Sequence, residues 1–202
     1  FLGVYLDEHL SWSTHIDHVK NKISKSCGII NKLKHKLPQS ILLLIYNSLI
    51  LPYLQYCAMV WVYNVSNQNT LKSIFIIQKR VIRNISKSQF TDHTSPLFKK
   101  LNALTINDIA SLQISQFMYK SNMQLLPLHF FNFFQTNSTV HNYNTRQSQN
   151  IHLLAASCSK KLNSIKHIGP RNWNKLPNKI KSAPSLPSFT KMLRNHRLSA
   201  YI

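Results

Sequence analysis

Residues 41–63, ILLLIYNSLILPYLQYCAMVWVY, contain no charged side chain, and they lie between two stretches in which lysines alternate with apolar residues. A run of 23 residues is long enough to cross a bilayer as a single helix. Against that, Asn47, Ser48, Pro52 and Gln55 stand near its middle, and basic segments flank it on both sides without the asymmetry that sets a topology. A buried protein helix, bent or broken at Pro52, accounts for the same letters and is the expectation.

The flanking stretches carry the complementary pattern. Ile16, Val19, Ile23, Cys27, Ile30 and Leu33 recur at spacings of three and four, the stripe of an amphipathic helix. Ser11 or Ser13 offers an N-cap, and Pro38 ends the helix by pushing Leu37 out of the helical region. Lys22, Lys25, Lys32 and Lys36 fall opposite the stripe, with Lys20 and Lys34 nearer its edge. Residues 70–87 repeat the arrangement. Leu71, Ile74, Phe75, Gln78, Val81, Ile82 and Ile85 share one face, while Lys72, Lys79, Arg80, Arg83 and Lys87 gather on the other. Two such helices beside an apolar segment predict a bundle with its lysines outward.

Elsewhere the pattern is less regular. Residues 1–6 are aromatic and branched and read as the end of a strand. Residues 95–101 predict a short helix with Pro96 in its first turn. A longer helix is expected from Ile106 to about Met123, capped by Thr105 with Asp108 three residues on. Residues 135–150 are rich in Asn, Ser and Thr and read as loop. The apolar pieces that follow are broken by Pro170, Pro177, Pro184 and Pro187, with a last helix over 188–197. The expected fold is thus mainly α: a short N-terminal strand over 1–10, a helical bundle over 11–88, and a partly irregular helical region over 89–202.

Charge narrows the chemistry. The 202 residues include 25 Lys and Arg against 5 Asp and Glu, a net charge of +20. The acids are Asp7, Glu8, Asp17, Asp92 and Asp108, with none after Asp108. Carboxylate-pair acid–base chemistry and two-metal phosphoryl transfer need several acids converging on one point. Asp7 and Glu8, adjacent on a strand, would face opposite ways. Only three glycines are present, Gly3, Gly28 and Gly169, too scattered for a phosphate loop or a nucleophile elbow. Cys27, Cys57 and Cys158 fit neither a disulfide framework nor a CxxC zinc site. His15 and His18 sit three apart but lack nearby third and fourth ligands, so they read as surface imidazoles and no metal site is expected. The chain starts at Phe1 with Asp7 and Glu8 where a signal peptide would be positive. It reads as the tail of a longer, intracellular, nuclear or cytoplasmic polypeptide. A surface with so few acids repels itself unless a polyanion binds it. Nucleic acid is the first expectation and an anionic membrane the second.

The segment FLGVYLDEHLSWSTHI resembles the one that follows the polymerase palm in reverse transcriptases of non-LTR retrotransposons, the jockey-like elements above all. Further resemblances follow in order: LPYLQYCAMVW, IQKRVIRNI, HTSPLFKKLNAL with INDI, HNYNTR and GPRNWNKLP. Together they span nearly the whole chain. Val62 departs from the family, which commonly places Gly after the Trp of the apolar helix. The resemblance implies a fragment of an RNA-directed DNA polymerase that begins at the last palm strand, continues through the thumb and runs into the region behind it. The aspartates that hold Mg²⁺ in the family lie upstream, so this chain alone is expected to be no enzyme and to carry no cofactor. Its partners would be an RNA template and a DNA primer, gripped through phosphates by Lys22, Lys25, Lys32, Lys36, Lys79, Arg80, Arg83 and Lys87. Leu2, Val4, Trp12, Ile16, Tyr53, Trp61 and Trp173 read as core or hinge packing. Stacking on a base stays open for Trp173, Tyr143 and Arg146. The alternatives are a basic structural protein on an anionic membrane and a non-functional relic of a mobile element.

Overall fold

The computed structural model describes residues 2–65, 68–141 and 145–201, and the fold is mainly helical. It comprises two compact units, residues 1–110 with 195–202 and residues 111–194.

In the first unit, α1 (Ser13–Leu33) packs most extensively on α5 (Gln68–Ser86). The apolar stripe predicts this: Ile16, Val19, Ile23, Cys27 and Ile30 of α1 and Leu71, Ile74, Val81, Ile82 and Ile85 of α5 are all buried. Between them in sequence the uncharged run forms three short helices, α2 (Gln39–Leu49), α3 (Leu51–Gln55) and α4 (Ala58–Trp61). The first break falls at Ile50, with Pro52 in the opening turn of α3, and the second at Cys57, whose φ is 51°. Among the described residues no helix is long and apolar enough to cross a membrane. The run is core on one face only. Leu42, Tyr46, Ile50, Leu54, Ala58 and Trp61 are buried, whereas Ile41, Leu44, Leu49, Tyr53, Tyr56 and Val60 face solvent. Val62 has helical φ and ψ of −59° and −41° and is buried, so its position makes no demand for glycine.

The expected N-terminal strand over 1–10 is absent among the described residues. Leu2, Gly3 and Leu10 have positive φ, and no neighbouring segment pairs with this one; a strand without a ladder leaves its backbone groups unpaired. Asp7 organises the segment instead. Its carboxylate accepts the N–H groups of Ser11 at 2.8 Å and Trp12 at 2.9 Å and the Ser11 hydroxyl at 3.0 Å. Neither serine caps α1: its N-cap position is Trp12, in the left-handed region with φ 64°.

A short helix, α6 (Ser95–Lys100), leads to α7 (Ile106–Asn122), whose first turn has the expected cap. Thr105 Oγ1 accepts the Asp108 N–H at 3.3 Å and donates to the Asp108 carboxylate at 2.6 Å. Three helices end without glycine in the turn that most favours it. After α5 the N–H of Ser88 bonds the Arg83 carbonyl at 3.1 Å and that of Lys87 bonds Asn84 at 3.3 Å, with Lys87 at φ 54°. The same double closure places Asn102 after α6 and Gln124 after α7 at positive φ.

The second unit takes the rest of α7 and gathers it with α8 (Asn137–Val140), α9 (Ser159–Leu162), α10 (Ile165–Asn174), α11 (Asn178–Lys181) and most of α12 (Leu186–Ser199). Its core is aromatic: Tyr119 stacks on Phe189 at 4.6 Å and donates to the Ala183 carbonyl at 2.7 Å, and Trp173 lies 5.9 Å from the same ring. The expected break at Pro170 does not occur, since α10 runs through it. The preceding residue is Gly169, which has no Cβ to clash with the proline ring. A Cβ there would also meet the Met118 sulfur at 2.5 Å. Trp173 is buried, which removes it as a base-stacking surface. The expected loop over 135–150 holds the short helix α8, and Thr136 beside it is joined to Ile151 by an antiparallel bridge.

Candidate nucleic-acid interface

α1 and α5 meet along their buried stripes, and the edges of those stripes define a groove. Ser24, Cys27, Gly28, Asn31 and Lys34 line it from α1, and Arg80, Arg83 and Asn84 from α5. Ser88, Gln89 and Phe90 close one end of a space of about 510 Å³. None of these lining residues is acidic, and most of the remainder are small amides or hydroxyls able to donate hydrogen bonds.

The eight cations expected at the interface are distributed unequally. Arg80 and Arg83 line the groove, and Lys87, exposed, stands just past the end of α5 at positive φ, next to Ser88 at the groove's end. Lys79 flanks them with its ammonium 4.4 Å from the centre of the Phe75 ring. Lys22, Lys25 and Lys32 are exposed, but at 3.6 residues per turn they point away from the line through Ser24, Cys27, Asn31 and Lys34. Lys36 lies beyond the end of α1 and is also exposed. The cation that α1 does bring to the groove is Lys34, at the edge of the apolar stripe. The readable signal for Lys34 was its position: where two amphipathic helices pack side by side, residues at the edges of the stripes face one another, and those at the centre of the polar face do not.

The groove is lined by the C-terminal halves of both helices, where the backbone presents carbonyl oxygens and partial negative charge. That end opposes an anion by about 0.3–1 kcal/mol per helix, so any phosphate held here is held by side-chain cations. Cys27 lies at the floor, where burial raises its thiol above the ordinary range against the opposing pull of Arg80.

The acids serve local structure. Asp7 holds the turn before α1, and the backbone donors it accepts keep its carboxyl below the usual range. Asp92 accepts the Gln89 N–H at 2.8 Å. Asp108 accepts Thr105 and Tyr201 hydroxyls, with Arg197 at 4.0 Å. Glu8 and Asp17 are exposed. Among the described residues no three His, Cys, Asp or Glu side chains stand together as metal ligands would. His15 is not the surface imidazole expected: it is 2% exposed, packed edge-on against Trp61 at 5.3 Å and Trp12 at 6.4 Å, with no hydrogen bond to either ring nitrogen. His18 is half-buried beside Tyr5. Leu2 and Tyr53, expected as packing residues, are exposed, while Val4, Trp12, Ile16 and Trp61 are buried.

In the second unit, Asn137, His141, Gln147, His152 and Asn174 border a cavity of about 360 Å³ together with Ile151 and Leu153. Asn174 brackets Ile151 there, accepting its N–H at 3.0 Å and donating to its carbonyl at 2.8 Å. Arg146 is exposed, and Tyr143 lies outside the described residues.

Comparison with protein-family models, with curated proteins and with solved structures finds no match to this chain.

Proposed function

We propose that the chain grips nucleic acid through its phosphates, as the thumb and post-polymerase part of a jockey-like non-LTR reverse transcriptase holding an RNA template and a DNA primer. The observation that carries the reading is the acid-free groove in which Lys34, Arg80 and Arg83 converge, on a chain of net charge +20. Such contacts fix the register of a nucleic acid without reading its sequence. The carboxylates do not fit a two-metal centre, because Asp7, Asp92 and Asp108 are each turned onto nearby donors of their own loops and caps. The chain by itself is therefore assigned the grip, and its purified form is expected to incorporate no nucleotide.

The test is fluorescence anisotropy of a labelled RNA–DNA hybrid across a salt series. With three to five phosphates neutralised, log K falls against log salt with a slope of about −3 to −4.5. No binding at low salt overturns the reading.

A second reading rests on the exposed apolar side chains of residues 41–60. Ile41, Leu44, Leu49, Tyr53, Tyr56 and Val60 would enter the surface of an anionic membrane without crossing it. Sedimentation with vesicles containing phosphatidylserine, persisting at salt that releases the hybrid, would favour it.

A further inference from the structure

Phe90 is 77% exposed at the mouth of the cationic groove. Loop tips usually carry small or polar residues, and turn chemistry does not ask for Phe at the second position of a turn. Here the turn is fixed from several sides. The Asp92 N–H bonds the Gln89 carbonyl at 3.2 Å, closing residues 89–92. The Asp92 carboxylate accepts the Gln89 N–H at 2.8 Å, and Arg83 donates twice to the Asp92 carbonyl at 3.0 and 2.9 Å. The same guanidinium lies 5.7 Å from the centre of the Phe90 ring, and the ring remains largely open to solvent.

An aromatic ring held in place beside a line of cations has the parts of a single-strand site. Cations follow the backbone, the ring offers a stacking surface to any base, and the fixed turn lowers the ordering cost of binding. We propose that the groove takes an unpaired stretch of nucleic acid, with phosphates along Lys34, Arg80 and Arg83 and one base stacked on Phe90. This rests on the nucleic-acid reading above and adds a preference for unpaired over blunt-ended substrate.

The experiment measures binding of the full chain to an oligothymidylate and to a blunt duplex, for wild type, Phe90→Leu, Phe90→Trp and the double variant Lys34→Gln, Arg80→Gln. Circular dichroism confirms that each is folded; Leu preserves apolar bulk without a π-face. The expected result is that Phe90→Leu weakens the oligothymidylate roughly 5- to 150-fold and shifts the duplex less than twofold, with Trp retaining single-strand affinity. The double variant weakens both. If Phe90→Leu binds oligothymidylate like wild type, or loses both ligands equally, the stacking site is overturned while the nucleic-acid reading stands. If wild type binds neither ligand, both fall together.

Discussion

Arg83 donates through Nε and Nη2 to the carbonyl oxygen of Asp92, at 3.0 and 2.9 Å, nine residues along the chain. One guanidinium thus closes the loop after α5 and leaves its charge at the groove. Lysine can keep the charge but cannot reproduce the fork.

Arg83→Lys is accordingly expected to loosen the turn while largely preserving phosphate attraction. Loss of one charge-assisted bond at a solvent-accessible site corresponds to about 1 kcal/mol, or an opening equilibrium about fivefold larger. Amide hydrogen exchange at Asp92, whose N–H closes the turn, reads this directly. Unchanged exchange in the variant would show that the guanidinium does not hold the loop.

Gln78 stands in the apolar stripe of α5, where a polar residue looks misplaced, yet it is fully buried and fully bonded. Its Nε2 donates to Tyr46 Oη at 3.0 Å and to the Leu104 carbonyl at 2.9 Å, and its Oε1 accepts the Ile106 N–H at 3.1 Å. Gln78→Leu has similar bulk and strands the Leu104 and Ile106 backbone groups. It should cost about 2–4 kcal/mol in urea unfolding. A loss under about 1 kcal/mol would mean that the network contributes little.

His15 predicts a pH dependence. Burial, with the neighbouring His18 charge as a smaller cause, holds its pKa below the ordinary value of 6.5. The unfolded chain therefore takes the proton first, so stability present above about pH 6.5 declines as pH falls, by up to about 1.4 kcal/mol per unit. His15→Phe keeps an aromatic ring against Trp12 and Trp61 and removes the proton. Unfolding free energies measured between neutral and mildly acidic pH should show a shallower decline in the variant. Equal slopes would assign the acid sensitivity to other groups.

The helices around the groove were legible because their apolar spacing encodes which face is buried, as Ile16 to Ile30 and Leu71 to Ile85 show. The Thr105–Asp108 cap was legible for the same local reason. Helix ends were harder to read, since Lys87, Asn102 and Gln124 occupy left-handed positions where glycine is the usual sign. The strand reading of residues 1–6 failed because apolar composition cannot show whether a pairing partner exists. The α1 lysines opposite the stripe were a reading of one helix in isolation. Lys34 belongs to the groove through the packing of α1 against α5, a long-range relationship that periodicity does not contain.

The most direct test compares two triple variants with equal loss of charge. One is Lys34→Gln, Arg80→Gln, Lys87→Gln, where glutamine at position 87 adopts a conformation that Gln124 already holds. The other is Lys160→Gln, Lys161→Gln, Lys166→Gln, at exposed lysines of the second unit. With folding verified by circular dichroism, the slope of log K against log salt for the hybrid is measured for each. The groove variant is predicted to flatten the slope by about 2, through its two groove-lining cations Lys34 and Arg80, with the other variant close to wild type. Equal flattening in both would contradict the interface and leave only a diffuse attraction to a strongly basic surface.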